Sequence, residues 1–330
     1  GVMLTQRNMA ENATCFDMKI PDRTVLLSVL PIHHAYCLSM DILKGISLGA
    51  VICINDSLMR VAKNIKLFKP ELMLMVPLMI EVMAKKLEDV SGLPAKLVKN
   101  MVFGKQFHTI CSGGAYLNPD YIDLFNKYGI TILQGYGMTE CSPVISNNVS
   151  WNIKKNSVGR LLPNCEAKVV DEEIWVRGSS VMQGYYKRPE ETKAALDPDG
   201  WLHTGDLGYV DENGCLHVTG RMKEMIIRSG ENISPAEIEN CIIEMPEVEE
   251  VKVIGIPAKV LQEEIAACII PKNGAVIDEE KVRSYVKSRL SDYKVPKYVL
   301  TFQNFPINAS GKVLSRELRV QAGEMINLKH

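Results

Sequence analysis

A chain of 330 residues, 46% apolar and 23% charged, is long enough for two cored domains and has the composition of a globular protein. Its net charge of −1 and its lack of a basic stripe interleaved with aromatics exclude nucleic acid as an expected partner. No apolar run has the length of a membrane span, because residues 26–38 are interrupted by a proline and two histidines; peripheral membrane contact stays open. The opening GVMLTQRN lacks the basic and long apolar segments of a signal peptide. Nine cysteines, no two closer than Cys37 and Cys53, fit neither a disulfide framework nor a zinc site. They point to reduced, mostly buried thiols and a cytoplasmic protein.

Residues 24–54 place a helix, DILKGISLG, between the β-rich runs TVLLSVLP and AVICIND. From Pro77, LMIEVMAKKL has apolar residues at helical spacing and a lysine-rich end that suits a helix C-terminus. TICSGGAYLNPD reads as a buried strand, a glycine turn and a helix starting near Pro119, and ITILQGYG reads as a strand and a second glycine turn. Strands alternating with helices predict a parallel, helix-covered sheet over residues 1–142. From 143 to 221 the short strands AKVV, EIWVRG, WLHTGDLGYV and CLHVTGR, separated by DEE, DPDG and DENG, predict a β-rich lobe. Beyond it, MIIRSGENISPAEIENCI gives a strand, a turn and a helix with Ser234 as N-cap, followed by the strands VKVIGIP and AACIIP. DEEKVRSYVKSRL is an amphipathic helix with Val282, Tyr285, Val286 and Leu290 on one face. The expected fold class is α/β: a truncated large domain (1–221) and a small C-terminal α+β domain (222–330) after a hinge.

Four motifs carry the functional signal: QGYGMTE, GWLHTGDLGYVDENGCLHVTGRMKEMI, SGENISPAEIE and PINASGKVLSREL. In order and spacing they resemble the adenylate-forming superfamily of acyl-CoA synthetases, peptide-synthetase adenylation domains and luciferases, and most of all its fatty-acyl-CoA ligases. The resemblance implies a ligase that joins a carboxylic acid, medium- to long-chain and fatty, to ATP as an acyl-adenylate and then passes the acyl group to coenzyme A. A carrier-protein thiol as acceptor and a non-catalytic nucleotide-binding protein are the alternatives. It implies ATP/AMP, Mg²⁺ and coenzyme A as cofactors.

Site residues follow from the same resemblance. Gly113, Gly114 and Ala115 would form one turn beside the purine, and Gln134, Gly135, Tyr136, Gly137 and Met138 the other, with Tyr136 stacking on adenine. Thr139 would hydrogen-bond a phosphate oxygen, and Glu140 would be the hard oxygen ligand of Mg²⁺. Asp206 and Arg221, fifteen residues apart across an expected hairpin, would hold the ribose with Val218 against the nucleoside. His34 would approach the acyl carboxylate, Lys223 would lie at the hinge, and Ser229 and Gly230 would help receive coenzyme A. Lys312 would bridge carboxylate and phosphate as a permanent cation. His203 and His217 read as structural, and Met73, Met75, Met79 and Met83 as core. A Ser/Thr/Gly-rich phosphate loop precedes the corresponding segment in the family, so the chain is expected to be a C-terminal fragment with weak or no turnover alone.

Overall fold

The computed structural model describes residues 1–90, 92–258, 262–272, 274–308 and 313–328. The chain separates into two compact units, one of residues 1–204 with 208–218 and one of 205–207 with 219–330.

The first unit opens with β1 (Val2–Met3) and α1 (Gln6–Thr14). Thr5 and Asn8 cap α1 reciprocally, the Thr5 hydroxyl accepting from Asn8 N–H and the Asn8 side chain from Thr5 N–H. Then come β2 (Val25–Ser28), a π-helical stretch Cys37–Leu43 that runs into α2 (Lys44–Ser47), and β3 (Val51–Ile54). Next are α3 (Val61–Phe68), β4 (Leu72–Met75), α4 (Pro77–Glu88), α5 (Ala95–Val102), β5 (Thr109–Ser112), α6 (Asp120–Lys127) and β6 (Thr131–Gly137). Each short apolar strand is followed by a helix, so β2 to β6 pair in parallel as expected. Ile80, Met83, Ala84 and Leu87 of α4 meet Ile122 and Phe125 of α6 in a core that also buries Phe103, Phe107, Met73 and Met75.

Two strands inside the stretch expected to belong to the lobe join this sheet instead. β7 (Val144–Asn147) turns back against β6, and β8 (Arg160–Leu161) follows antiparallel, giving the order β3-β2-β4-β5-β6-β7-β8. The reason is local: a short connection after β6 permits only an antiparallel neighbour.

The chain continues with β9 (Cys165–Val170), β10 (Glu173–Gly178), β11 (Gly184–Tyr185) and α7 (Pro189–Ala195), then β12 (Leu202–Val210) and β13 (Leu216–Arg221), whose residues 205–207 and 219–221 count with the second unit. These form an antiparallel sheet, β13-β12-β10-β9, apart from β11, which pairs with β1. The β9–β10 hairpin closes on Asp171 and Glu172, both at positive φ (48° and 66°), the backbone of a primed two-residue turn.

In the second unit β14 (Ile226–Arg228), β15 (Glu231–Ile233), α8 (Pro235–Ile242), β16 (Val248–Ala258) and β17 (Gln262–Pro271) precede α9 (Glu279–Lys287), β18 (Tyr298–Thr301) and α10 (Ser315–Leu328). The sheet runs β15-β14-β17-β16, with β18 parallel to β17. Val282 and Val286 of α9 and Ile238 and Ile242 of α8 fill one core; Leu318 and Ala322 of α10 fill another. Ser234 precedes α8 as expected, but its hydroxyl donates to Thr219 O at 3.2 Å instead of capping the helix. Among the described residues no helix is long and apolar enough to cross a membrane.

Candidate functional site

The carboxyl ends of parallel strands are where open α/β sheets place ligands. β5 and β6 are neighbours with Ser112 opposite Gln134, so Gly113–Ala115 leave the sheet beside the Gly135–Gly137 end of β6. Gly113 is buried with a Cβ position 3.4 Å from the Tyr36 ring, whereas Gly114, at φ 88°, and Ala115 are exposed.

The glycines of QGYG do not form the expected turn. Gly135, Tyr136 and Gly137 remain in β6, opposite Asn147, Ser146 and Val144 of β7. Neither glycine has a left-handed φ, so close approach is what requires them. A Cβ on Gly137 would lie 2.0 Å from Pro143 O, and one on Gly135 3.0 Å from Asn147 Oδ1. Tyr136 and Met138 are half-buried against the second core cluster, as is Val218.

β6 leads into a 3₁₀ turn, Thr139–Cys141, pinned by Met138 N–H donating to Pro143 O at 2.9 Å. Thr139 is exposed and Glu140 half-buried. Cys141 is fully buried with its thiol pushed well above the ordinary range by burial, which disqualifies it as a nucleophile. Glu140 is held at both ends by the segment before α7. Met182 N–H donates to Glu140 O at 2.8 Å, and the Tyr185 hydroxyl donates to Glu140 Oε1 at 2.9 Å. Burial, and then the Glu140 carboxylate, push the Tyr185 phenol up to about 12. Sequence reasoning missed Tyr185, whose partner is 45 positions away.

Among the described residues no three His, Cys, Asp or Glu side chains form a metal cluster. Glu140 is therefore a single hard oxygen donor. That suits Mg²⁺, which needs only one or two carboxylates when phosphates and water complete its shell.

The remaining expected residues are placed as follows. His34 is exposed in the turn before the π-helical stretch, its Nδ1 accepting from Tyr36 N–H at 3.3 Å. Asp206 is 1% exposed and pairs with Arg221 Nε at 2.7 Å, so the hairpin brings these two together. Lys223 is exposed in the 3₁₀ turn Met222–Glu224. Ser229 and Gly230, at φ 53° and 85°, are the two exposed corner residues of the β14–β15 hairpin, a sufficient structural reason for the SG pair. Lys312 lies outside the described residues. His203 stacks on Trp175 and His217 on Tyr209, as structural residues do. A cavity of about 410 Å³ lined by Cys15, Phe16, Lys44 and Ser47 includes none of the expected site residues.

One buried acid also went unnoticed in the sequence. Asp41, on the π-helical stretch, accepts from Ser28 Oγ at 2.7 Å, while its Oδ1 is buried without a hydrogen-bond partner among the described residues. Burial raises its carboxyl to about 7. A folded-state value above the ordinary 3.8 means that the contribution of this group to stability is complete below about pH 4 and is lost as pH rises through 7. Urea midpoints should therefore fall between pH 4 and pH 8, and Asp41→Asn should flatten that slope; an unchanged slope would remove Asp41 as its source.

Comparison with known proteins places the chain in a family. The family model described as AMP-binding enzyme matches residues 1–186, and that of the AMP-binding enzyme C-terminal domain matches residues 237–312. A long-chain-fatty-acid–CoA ligase of Escherichia coli O157:H7 is 32% identical across 100% of this chain and 60% of its own length. The 4-coumarate–CoA ligase-like 9 of Oryza sativa subsp. japonica is 31% identical across 97% of this chain and 60% of its own. The crystal structure of ATP-bound MatB from Rhodopseudomonas palustris superposes with a TM-score of 0.87 at 28% identity, covering 98% of this chain and 66% of that one. The chain thus spans about 60% of the length of the curated relatives it matches.

Proposed function

Because the chain belongs to the AMP-binding enzyme family, we propose that it serves an ATP-dependent ligase that converts a carboxylic acid to an acyl-adenylate and then to an acyl-CoA thioester. The observation that carries this reading is the glycine turn after β5 beside the end of β6, where the 3₁₀ turn Thr139–Cys141 carries Thr139 and Glu140. Adenylation brings a carboxylate onto a polyphosphate, so it depends on positioning and charge neutralisation more than on covalent help. Tyr136 takes the adenine face, Thr139 a phosphate oxygen, and Asp206 with Arg221 the ribose hydroxyls. A Mg²⁺ ion held by Glu140 neutralises phosphate charge. His34 meets the acid, and Lys312 bridges acid and phosphate. Lys223 lies at the hinge between the adenylating and thioester-forming poses, with Ser229 and Gly230 toward coenzyme A. A medium- to long-chain fatty acid is the proposed substrate, in keeping with the fatty-acid ligase among the relatives.

Two measurements test this. AMP should bind the chain in calorimetric titration, and Tyr136→Ala should weaken it by the roughly 1–3 kcal/mol of a lost base stack. Acid-dependent AMP release by the whole protein across a panel of carboxylic acids, with and without coenzyme A, reports substrate and acceptor. Absence of AMP binding, together with no acid-dependent release, would overturn the reading.

A further inference from the structure

Glu140 lies in a one-turn 3₁₀ segment, and a carboxylate on so short a support needs outside help to keep one rotamer. That help comes from a segment more than forty positions later. Met182 N–H holds the Glu140 carbonyl at 2.8 Å, and Tyr185 OH holds its Oε1 at 2.9 Å. Tyr185 is itself fixed on both sides. It pairs with Val2 of β1, and its N–H donates to Thr192 Oγ1 of α7 at 2.9 Å. Thr192 in turn donates to Arg188 O at 2.8 Å, so its hydroxyl has one defined orientation. Gly184 keeps the segment close to α7: a Cβ there would lie 2.6 Å from Thr192 Cγ2.

The geometry points to Tyr185 as the positioning residue for Glu140, which fixes the carboxylate so that one oxygen faces a nucleotide-bound divalent cation, with Thr192 holding Tyr185 in place. This rests on the reading of Glu140 as the metal-side carboxylate. A hydroxyl that donates to one oxygen of a carboxylate fixes its plane and leaves the second oxygen to the cation. Groups that orient a ligand in this way typically change metal affinity about 10- to 100-fold when removed.

The test uses Mn²⁺ with ATP, followed by the water-proton relaxation of the ternary complex, on the full chain. Tyr185→Phe should weaken Mn²⁺ in that complex about tenfold. Metal-free AMP binding should stay unchanged, and the thermal midpoint should fall by no more than the few degrees of one lost hydrogen bond. Glu140→Gln should weaken Mn²⁺ more, and Tyr185→Phe added to Glu140→Gln should cost nothing further, because the hydroxyl acts only through that carboxylate. Thr192→Val should give the same effect at smaller size, which keeps the test open if Tyr185→Phe folds poorly. Wild-type Mn²⁺ affinity in Tyr185→Phe, or additive losses in the double variant, would overturn the assignment. A wild-type chain that binds AMP but forms no ternary complex with Mn²⁺ would remove the metal role of Glu140 and this inference with it; one that binds no nucleotide would remove the adenylation reading itself.

Discussion

Gly137→Ala should destabilise the chain by about 4 kcal/mol and abolish nucleotide binding. The added methyl would lie 2.0 Å from Pro143 O, 2.8 Å from Pro143 C and 3.0 Å from Val144 Cα, all backbone atoms with no rotamer to change. Relief requires β6 and β7 to separate at the point where Met138 N–H bonds Pro143 O. Overpacking of this kind costs up to about 3 kcal/mol, occasionally more, and the lost hydrogen bond about 1 kcal/mol. The same movement shifts Thr139 and Glu140, so binding should fail even where the chain still folds at low temperature. Gly323→Ala is the control. Position 323 lies inside α10 with nothing within 4 Å of a Cβ, so alanine should stabilise the helix by about 0.5–1 kcal/mol. Urea midpoints of the two variants should move in opposite directions; equal shifts would mean that glycine is required at 137 for a reason other than contact with Pro143.

That contrast also explains what the sequence could convey. Apolar runs of strand length alternating with helical periods exposed the parallel sheet, because each pattern is set by local burial. α4 and α9 were legible for the same reason: their apolar faces recur at 3.6-residue spacing and bury Ile80, Leu87, Val282 and Val286. The glycines of QGYG were misread because glycine marks either a permitted φ or a close neighbour, and only the fold distinguishes them. β7 and β8 fell on the wrong side of an expected boundary because a composition shift marks a change of strand direction as readily as a change of sheet. Tyr185 and Asp41 left no local trace. The hydroxyl of Tyr185 matters through Glu140, and Asp41 is an acid in the apolar run CLSMDIL whose cost depends on burial that no periodicity reports. Asp206 and Arg221 were foreseen as meeting because the DENG turn registers the hairpin locally, and they form an ion pair at 2.7 Å.

In the whole protein, Lys312→Ala should lower adenylation about 10²- to 10³-fold, the usual effect of removing one preorganised donor from developing negative charge, equivalent to about 2.7–4 kcal/mol. The chemistry explains why a cation is required in this half-reaction. A carboxylate must approach the α-phosphate of a polyanion, and the repulsion is greatest when the new bond is partly formed. A lysine ammonium keeps its proton and its charge throughout the neutral range. Thiol attack on a supplied acyl-adenylate involves no such meeting of anions, so Lys312→Ala should leave thioester formation within about twofold of wild type. Single-turnover assays of the two half-reactions separate these outcomes, and Lys312→Arg refines them, since a planar guanidinium keeps the charge but not the compact geometry. Equal losses in both half-reactions would mean that Lys312 supports the fold or binds AMP in common to both steps. A selective loss would identify it as a charge required only while carboxylate and phosphate are being joined.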